Sequence, residues 1–282
     1  MGEVVIGSEA LAQGRLTEHE LRRWHRAIFR GVYVPARHEL TLRDRIEGAW
    51  LRSGRQGVIA GVAASALHGA RWVDTDVPIE LIWSNTRPPR GLIARDETLA
   101  DAEVTKVAGI PVTTPVRTAY DLGRHLPRGK AVARMDALAR ATPFSIDEVM
   151  LLAKHHRGAR GLRRLRAALP WVDAGAASPK ETWLRLLLID AGLPVPTTQI
   201  PVCDGRWRPF AYLDMGWEDY QVAAEYDGEQ HQTDRPQYVK DHQRQRKLEH
   251  QNWINIRVIN EDDPTGVIAR TTTALRSRGW RP

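Results

Sequence analysis

The most informative stretch of this sequence is Ala224-Glu225-Tyr226-Asp227-Gly228. Two acidic residues, separated by a single residue, end a predicted β-strand over residues 220–227, and a glycine then turns the chain. Because side chains two positions apart on a strand point to the same face, both carboxylates face one way. The stretch therefore predicts a pair of carboxylates at a strand terminus, beside a loop.

A third carboxylate, Asp214, ends the preceding predicted strand, residues 208–215. If the two strands are antiparallel neighbours, three carboxylates meet at one edge of a sheet. Like-charged oxygen ligands packed together need a divalent cation, Mg²⁺ or Mn²⁺, which can activate water for phosphodiester hydrolysis. Glu181, at the start of the preceding helix, would extend this site. The alternative is that each acid is an ordinary exposed turn residue.

Polar residues that follow the glycine turn could support such a site. His231 lies three residues past Gly228 and could donate a proton or position a water molecule. Asp241 and Arg244 lie three apart on the next predicted helix, near one of its faces. The alternative for His231 is a loop histidine that takes no part in chemistry.

The elements of the C-terminal part follow in the order helix, strand, strand, strand, helix, strand, helix. This order predicts an α/β sheet with helices on its faces. The predicted elements are residues 180–191, 198–202, 208–215, 220–227, 236–252 and 254–259, and a last helix opened by Pro264.

The order and spacing of these residues resemble a known nuclease family over residues 178–282. The family is the very-short-patch-repair-like (Vsr-like) branch of the PD-(D/E)XK endonuclease superfamily. The resemblance implies a restriction-endonuclease-like domain, a central mixed sheet flanked by helices. The residues that carry the resemblance are Leu213-Asp214, residues 224–231, Asp241 with Arg244, Leu248 and residues 253–257.

The resemblance also implies roles for individual residues. Asp214 and Glu225 would bind the metal, and Glu181 would be the acid of the helix. Asp227 stands where the superfamily has a lysine, which removes the group expected to position or deprotonate water and puts activity, more than metal binding, in doubt. Asn252-Trp253 replaces the usual glycine after the long helix, which alters only a turn. The ancillary residues would be His231, Asp241, Arg244 and Arg257.

Charge divides the chain into two unlike parts. Residues 1–177 hold 27 basic and 19 acidic residues, a net charge of +8, and residues 178–282 hold 14 and 15, a net charge of −1. The predicted domains are therefore a basic N-terminal domain, 1–177, and the nuclease-like domain, 178–282. Basic domains often bind nucleic acid, although an arginine-rich solvated surface without a partner is the alternative.

The first 38 residues predict a winged helix-turn-helix within an α+β domain. Thr17 and Glu20 form a capping-box pattern, and Leu21, Trp24 and Ile28 follow at helical spacing before a β-branched run. Four arginines on this second helix and its exit would suit phosphate contacts with double-stranded DNA. The alternative is a helical hairpin with a solvated arginine face. The arginines are Arg22, Arg23, Arg26 and Arg30.

Two further predictions concern the rest of this domain. Residues 58–67 are apolar nearly all round and predict a buried helix. Thr114 and Pro115 predict the start of another helix, on which Arg117 and Asp121, four apart, are interpreted as an internal ion pair.

The N-terminal domain resembles, more weakly, the winged-helix and following region of AbiEi-type antitoxins. The resemblance implies DNA binding and transcriptional autoregulation. It is carried by Leu21-Arg22-Arg23-Trp24, by Arg30 to Tyr33, and by residues 63–69 and 111–121.

Composition excludes several classes of protein. The single cysteine, Cys203, excludes an intramolecular disulfide and a multi-cysteine metal site. No apolar run reaches the ~18 residues of a membrane span, and the start lacks the pattern of a signal peptide, so a cytoplasmic protein is expected.

The sequence supports a metal-dependent DNA endonuclease or nickase, with the N-terminal domain holding the duplex. The alternative is a non-catalytic DNA-binding transcriptional regulator or antitoxin with a degenerate nuclease domain. A scaffold that binds only proteins is a third reading. The expected partners are double-stranded DNA and a toxin or another protein encoded nearby, and the oligomeric state stays open.

Overall fold

The computed structural model describes residues 4–85, 87–204, 208–228 and 235–282, with the backbone alone for residues 235–241. The chain divides into two compact units, which we call unit 1 (Met1–Pro170) and unit 2 (Trp171–Pro282). The division lies seven residues before the predicted one at residue 177. Residues 171–177 belong to unit 2 because they bond to it: Arg185 donates to the Trp171 carbonyl at 2.8 Å, and Thr198 donates to the Asp173 carboxylate at 2.9 Å.

The fold is mixed α+β, with three sheets in the part of the chain described here. Unit 1 begins with a three-stranded antiparallel sheet in the order β1-β3-β2, and the capping box at Thr17 is confirmed. Its elements are β1 (Val5–Ile6), α1 (Gly7–Ala12), α2 (Glu18–Trp24), β2 (His25–Phe29), β3 (Val32–Pro35) and α3 (Leu42–Arg52).

The predicted second helix is shorter than its apolar spacing indicates. Helix α2 ends at Trp24, and Ile28 lies on strand β2 instead. The reason is tertiary, because β2 pairs with β3 from His25↔Pro35 to Phe29↔Val32, and Phe29 enters the apolar core. Pairing across the hairpin thus outweighs helical periodicity.

A five-stranded mixed sheet in the order β6-β5-β4-β8-β7 forms the rest of unit 1, with five helices. Its core lies between this sheet and helices α3 and α4, around Ile46, Ile59 and Leu81. The strands are β4 (Val58–Ala60), β5 (Ile79–Ile82), β6 (Leu92–Arg95), β7 (Val104–Val107) and β8 (Ile110–Thr113). The helices are α4 (Gly61–Leu67), α5 (Pro115–His125), α6 (Arg128–Ala141), α7 (Ile146–His155) and α8 (Leu162–Ala168).

The prediction of one helix over residues 58–67 is wrong for its first three residues. Val58–Ala60 form β4, which pairs with β5 and, through Ile59↔Val112, with β8. Gly61 then adopts φ +57°, a conformation that costs glycine little, and starts the buried helix α4.

Unit 2 has the predicted order of elements. Its four-stranded sheet runs β12-β11-β10-β9, with β9, β10 and β11 antiparallel in turn and β11 parallel to β12. Apolar clusters around Leu188 and Leu248 pack against the sheet. The elements are α9 (Pro179–Asp190), β9 (Thr197–Cys203), β10 (Pro209–Trp217), β11 (Val222–Tyr226), α10 (Arg235–His250), β12 (Ile254–Val258) and α11 (Pro264–Ser277).

Three 3₁₀ turns complete the secondary structure of the described residues: Asp101–Glu103, Leu169–Trp171 and Glu218–Tyr220. Over the same residues, no helix combines the length and the apolar character needed to cross a membrane.

Candidate functional site

Three acidic side chains of unit 2 form one electrostatic group, which we call the acidic cluster: Glu181, Asp214 and Glu225. Asp214 lies inside β10, three residues before its end, and not at a strand terminus as predicted, because pairing with β11 continues to Trp217. Asp214 and Glu225 flank the Met215↔Ala224 pair on neighbouring antiparallel strands.

The environment of Asp214 favours its neutral form. Burial raises the pKa of this carboxyl to about 7, and the negative charges of Glu181 and Glu225 add to the effect. The Tyr226 backbone N–H donates to Asp214 Oδ2 at 2.9 Å and acts in the opposite direction, as does the charge of Arg244. Glu181 and Glu225 are themselves buried. The acidic cluster is therefore short of positive charge around Asp214.

Glu225 is held by an arginine and an amide. The Arg244 guanidinium donates to both carboxylate oxygens, with 3.0 Å between Nη1 and Oε2, and it also donates to the Tyr212 carbonyl at 2.9 Å. The Asn255 amide donates to Oε2 of the same carboxylate. Sequence reasoning placed Arg244 beside the site and missed Asn255, whose position on β12 follows from the parallel pairing with β11.

Two other predicted site residues, Asp227 and Glu181, accept hydrogen bonds from neighbouring groups of unit 2. Asp227 accepts from the Arg257 guanidinium, and its own N–H donates to the Val258 carbonyl at 2.8 Å. Glu181 accepts from the Ala177 N–H at 2.8 Å at the start of α9. Two further predictions, His231 and the side chain of Asp241, lie outside the described residues.

The carboxylates of the acidic cluster are the donor set that a divalent cation would use. Carboxylate oxygens are the ligands that Mg²⁺ prefers. Both oxygens of Glu225 already accept from Arg244 and Asn255, and one oxygen of Asp214 accepts from a backbone N–H. Among the residues whose side chains are described, no three His, Cys, Asp or Glu side chains are grouped to hold a metal ion. The arrangement does not fit a metal as it stands.

The four predicted DNA-contacting arginines are all exposed, but they do not share a helix. Two lie on α2, where Arg22 pairs with Glu18 at 3.3 Å and the Arg23 guanidinium lies 5.6 Å from the Trp24 ring centroid. Arg26 lies on β2 and donates to the His38 carbonyl at 3.0 Å, and Arg30 lies in the β2–β3 turn. The four arginines therefore lie on helix α2, on strand β2 and in the β2–β3 turn.

Unit 1 also contains a buried charge network around helix α5. The predicted internal ion pair is confirmed, with 3.0 Å between Arg117 Nε and Asp121 Oδ2. Arg117 is 1% exposed and also donates to Glu97 at 2.6 Å and to Glu103. Arg124 lies about two turns further along α5 and donates to Glu97 at 2.7 Å and to Asp121 at 2.8 Å. Two arginines thus share three carboxylates.

The network shifts the ionisation of its members in opposite directions. Burial would raise the pKa of Glu97, but hydrogen bonds from His125 and Arg124 and the nearby guanidinium charges outweigh it and hold the pKa at about 2. Burial raises the pKa of Asp121 even beside Arg117 and Arg124. Sequence reasoning missed Glu97 and Glu103, which lie outside α5, and it also missed Arg124, although the i,i+3 spacing of Asp121 and Arg124 on α5 is a signal that could have found it.

Comparison with known proteins gives a family for the central part of the chain. Residues 57–171 match the AbiEi antitoxin C-terminal domain. The curated proteins similar to this chain include the uncharacterized proteins Rv2248 and MT2308 from two strains of Mycobacterium tuberculosis. Each is 30% identical to this chain over 253 residues, which cover 88% of this chain and 91% of the relative.

Proposed function

Since the chain belongs to the same family as these two mycobacterial proteins and carries the AbiEi antitoxin C-terminal domain, we propose that it is a DNA-binding regulator of the antitoxin type. The observation that carries this proposal is the match over residues 57–171, which includes the buried network around α5. The regulator would bind double-stranded DNA in the cytoplasm, with a toxin encoded nearby as its protein partner.

The N-terminal part of unit 1 supplies the proposed DNA-binding surface. Helices α1 and α2 precede the β2–β3 hairpin, an arrangement that we interpret as a winged helix with the hairpin as its wing. Phosphate contacts need exposed cationic side chains, and the four predicted arginines are exposed on α2, β2 and the turn. The excess of positive charge in the first 177 residues supports the same surface.

We expect binding of the chain to a short duplex from upstream of its own coding region to depend steeply on salt. Each phosphate contact adds about 0.9 to the slope of log affinity against log salt, so replacing the four arginines with alanine should make the slope about 3–4 shallower. Fluorescence anisotropy over a range of KCl concentrations measures this. The substituted residues are Arg22, Arg23, Arg26 and Arg30.

The matched control removes the same charge from exposed arginines elsewhere and is expected to keep the parent slope. An equal change in the control would mean a diffuse charge effect, and a flat salt response of the parent would contradict DNA binding altogether. The control residues are Arg87, Arg90, Arg276 and Arg281.

A second candidate function is that of a metal-dependent nuclease, with Mg²⁺ or Mn²⁺ as its cofactor. The observation that favours it is the acidic cluster on a four-stranded mixed sheet flanked by helices, as the Vsr-like resemblance implies. Against it stand the arginine and amide contacts of Glu225 and the aspartate at the position of the motif lysine. We therefore propose that unit 2 is a nuclease-like domain that has lost activity.

We expect supercoiled plasmid to stay intact when it is incubated with the chain and millimolar Mg²⁺ or Mn²⁺, because Arg244 and Asn255 already hold both carboxylate oxygens of Glu225. Agarose gel electrophoresis measures the nicked fraction. Nicking that disappears in Asp214→Ala and in Glu225→Ala but persists in Glu261→Ala, an exposed acid of the same unit, would establish the nuclease instead.

A further inference from the structure

A pocket of about 570 Å³ lies within unit 1, and its lining includes none of the four arginines proposed to contact DNA. Its walls come from the end of β6, from the last turns of α5 and from the segment between α7 and α8. We propose that this pocket binds a small phosphate monoester of up to mononucleotide size. Its volume lies within the range of about 300–1,000 Å³ that is usual for small-molecule sites.

Two buried residues that line the pocket each have a polar atom without a hydrogen-bond partner among the described residues. Tyr120 and Arg124 line it and are 1% and 2% exposed. The Tyr120 hydroxyl and Arg124 Nε make no hydrogen bond to any described residue. A buried polar atom left unpaired costs about 1–3 kcal/mol, so these two donors are satisfied only when something else accepts from them. Phosphate and ester oxygens accept hydrogen bonds and carry no donor of their own when ionised.

The wall is also held in place before any ligand arrives. The remaining nitrogens of Arg124 donate to Glu97, to Asp121 and, at 3.1 Å, to the Arg160 carbonyl. The Arg124 guanidinium lies 4.4 Å from the centroid of the Tyr120 ring. Because these contacts fix both side chains, ligand binding there does not have to order them.

The mouth of the pocket carries cations without carboxylate partners. Arg157 and Arg160 line the mouth and are exposed, and neither forms an ion pair with a residue that the structure describes. The lining holds two acids: Asp96 is exposed, and Glu97 is already paired with Arg117 and Arg124. Guanidinium groups match the geometry of phosphate oxygens, and a phosphate monoester carries about −1.5 to −2 charges at pH 7. The mouth therefore suits the phosphate, and the remaining volume suits its organic part.

Isothermal titration of the full chain tests this proposal with two phosphate monoesters, adenosine 5′-monophosphate and ribose 5-phosphate, and with adenosine and a short DNA duplex as comparisons. We expect at least one monoester to bind at a single site and adenosine not to bind. Tyr120→Phe removes only the hydroxyl, and Arg160→Ala removes an exposed guanidinium and keeps the carbonyl that Arg124 uses. Each is expected to weaken monoester binding about tenfold.

The control is Arg163→Ala, an exposed arginine on α8 that does not line the pocket, and it is expected to bind as the parent does. The proposal is overturned if neither monoester binds, if adenosine binds as tightly as its monophosphate, or if Arg163→Ala weakens binding as much as Arg160→Ala. It is also overturned if the DNA duplex displaces the monoester from the parent and Arg160→Ala abolishes this displacement, since the site would then be part of the DNA surface. Monoester binding does not depend on the proposed DNA binding, so the two proposals fail separately.

Discussion

Arg117→Ala is expected to lower the free energy of unfolding of unit 1 by about 3–5 kcal/mol, the usual loss when one partner of a buried ion pair is removed. The Arg117 guanidinium is 1% exposed and donates to Glu97, Glu103 and Asp121. Without it, three carboxylates depend on Arg124 and on the neighbouring histidines. Hydrogen exchange at the amides of α5 measures the loss within this unit, whatever unit 2 does.

The loss should also depend on pH in a defined direction. In the parent protein the pKa of Glu97 is held at about 2, below its usual value, so its contribution to stability is present above pH 4.5 and disappears as the pH falls towards 2. Removing Arg117 raises the pKa of Glu97, and it raises further the pKa of Asp121, which burial already raises. A carboxyl with a raised pKa destabilises the folded state as the pH rises. Arg117→Ala should therefore lose more stability at pH 8 than at pH 5.

Two variants control for charge and for exposure. Arg117→Lys keeps the charge but presents its donors from a single nitrogen instead of the planar fork whose three nitrogens each reach a different carboxylate, so an intermediate loss is expected. Arg22→Ala breaks an exposed i,i+4 pair with Glu18 and should change stability by about 0.5 kcal/mol or less. A loss in Arg117→Ala no larger than that of Arg22→Ala would show that the network does not stabilise unit 1.

Local signals in the sequence were sufficient for most of the fold. The capping box at Thr17 and the Thr114-Pro115 start of α5 were visible because a helix N-terminus is specified by residues within one turn. Apolar spacing predicts helices at Ile28 and Val58, but both residues lie on strands, because pairing of β2 with β3 and of β4 with β5 decides their conformation and leaves no local signal.

The residues of the candidate site also differ in whether a local sequence signal identifies them. Asp214, Glu225 and Arg244 were identified because each lies on an element that the sequence predicts. The contact of Asn255 with Glu225 depends on the register of β12 beside β11, and that register has no local signal. In unit 1 the Arg117–Asp121 pair was visible as an i,i+4 spacing, whereas Glu97 reaches α5 from a distant segment.

Asp214→Asn is expected to make unit 2 more stable at pH 8 by about 2–4 kcal/mol. The pKa of the Asp214 carboxyl is about 7 in the folded state, against an ordinary value of 3.8 for an aspartate, and each pKa unit corresponds to about 1.4 kcal/mol. Between these values the folded state binds more protons than the unfolded state, so the stability of the parent falls as the pH rises from about 4 to 7. Asparagine keeps an oxygen to accept from the Tyr226 N–H and carries no charge.

Urea denaturation of parent and variant at pH 4, 6 and 8 measures this effect. The two proteins should be equally stable near pH 4, where the parent carboxyl is protonated, and should diverge as the pH rises. Asp219→Asn, an exposed position of the same unit, is the matched control and should follow the parent curve. If the free energy of unfolding of the parent does not fall between pH 4 and pH 8, the pKa of the Asp214 carboxyl is not raised as the structure indicates.

Urea denaturation also distinguishes a metal-dependent nuclease from an inactive nuclease-like domain in unit 2. An ion that binds only the folded state raises the free energy of unfolding in proportion to the logarithm of its concentration. Because Arg244 and Asn255 hold Glu225, millimolar Mg²⁺ is expected to leave the parent unchanged at pH 8. If Mg²⁺ stabilised the parent but not Asp214→Asn, the acidic cluster would exchange its arginine for a cation, and the nuclease would gain the donor set that it lacks in this structure.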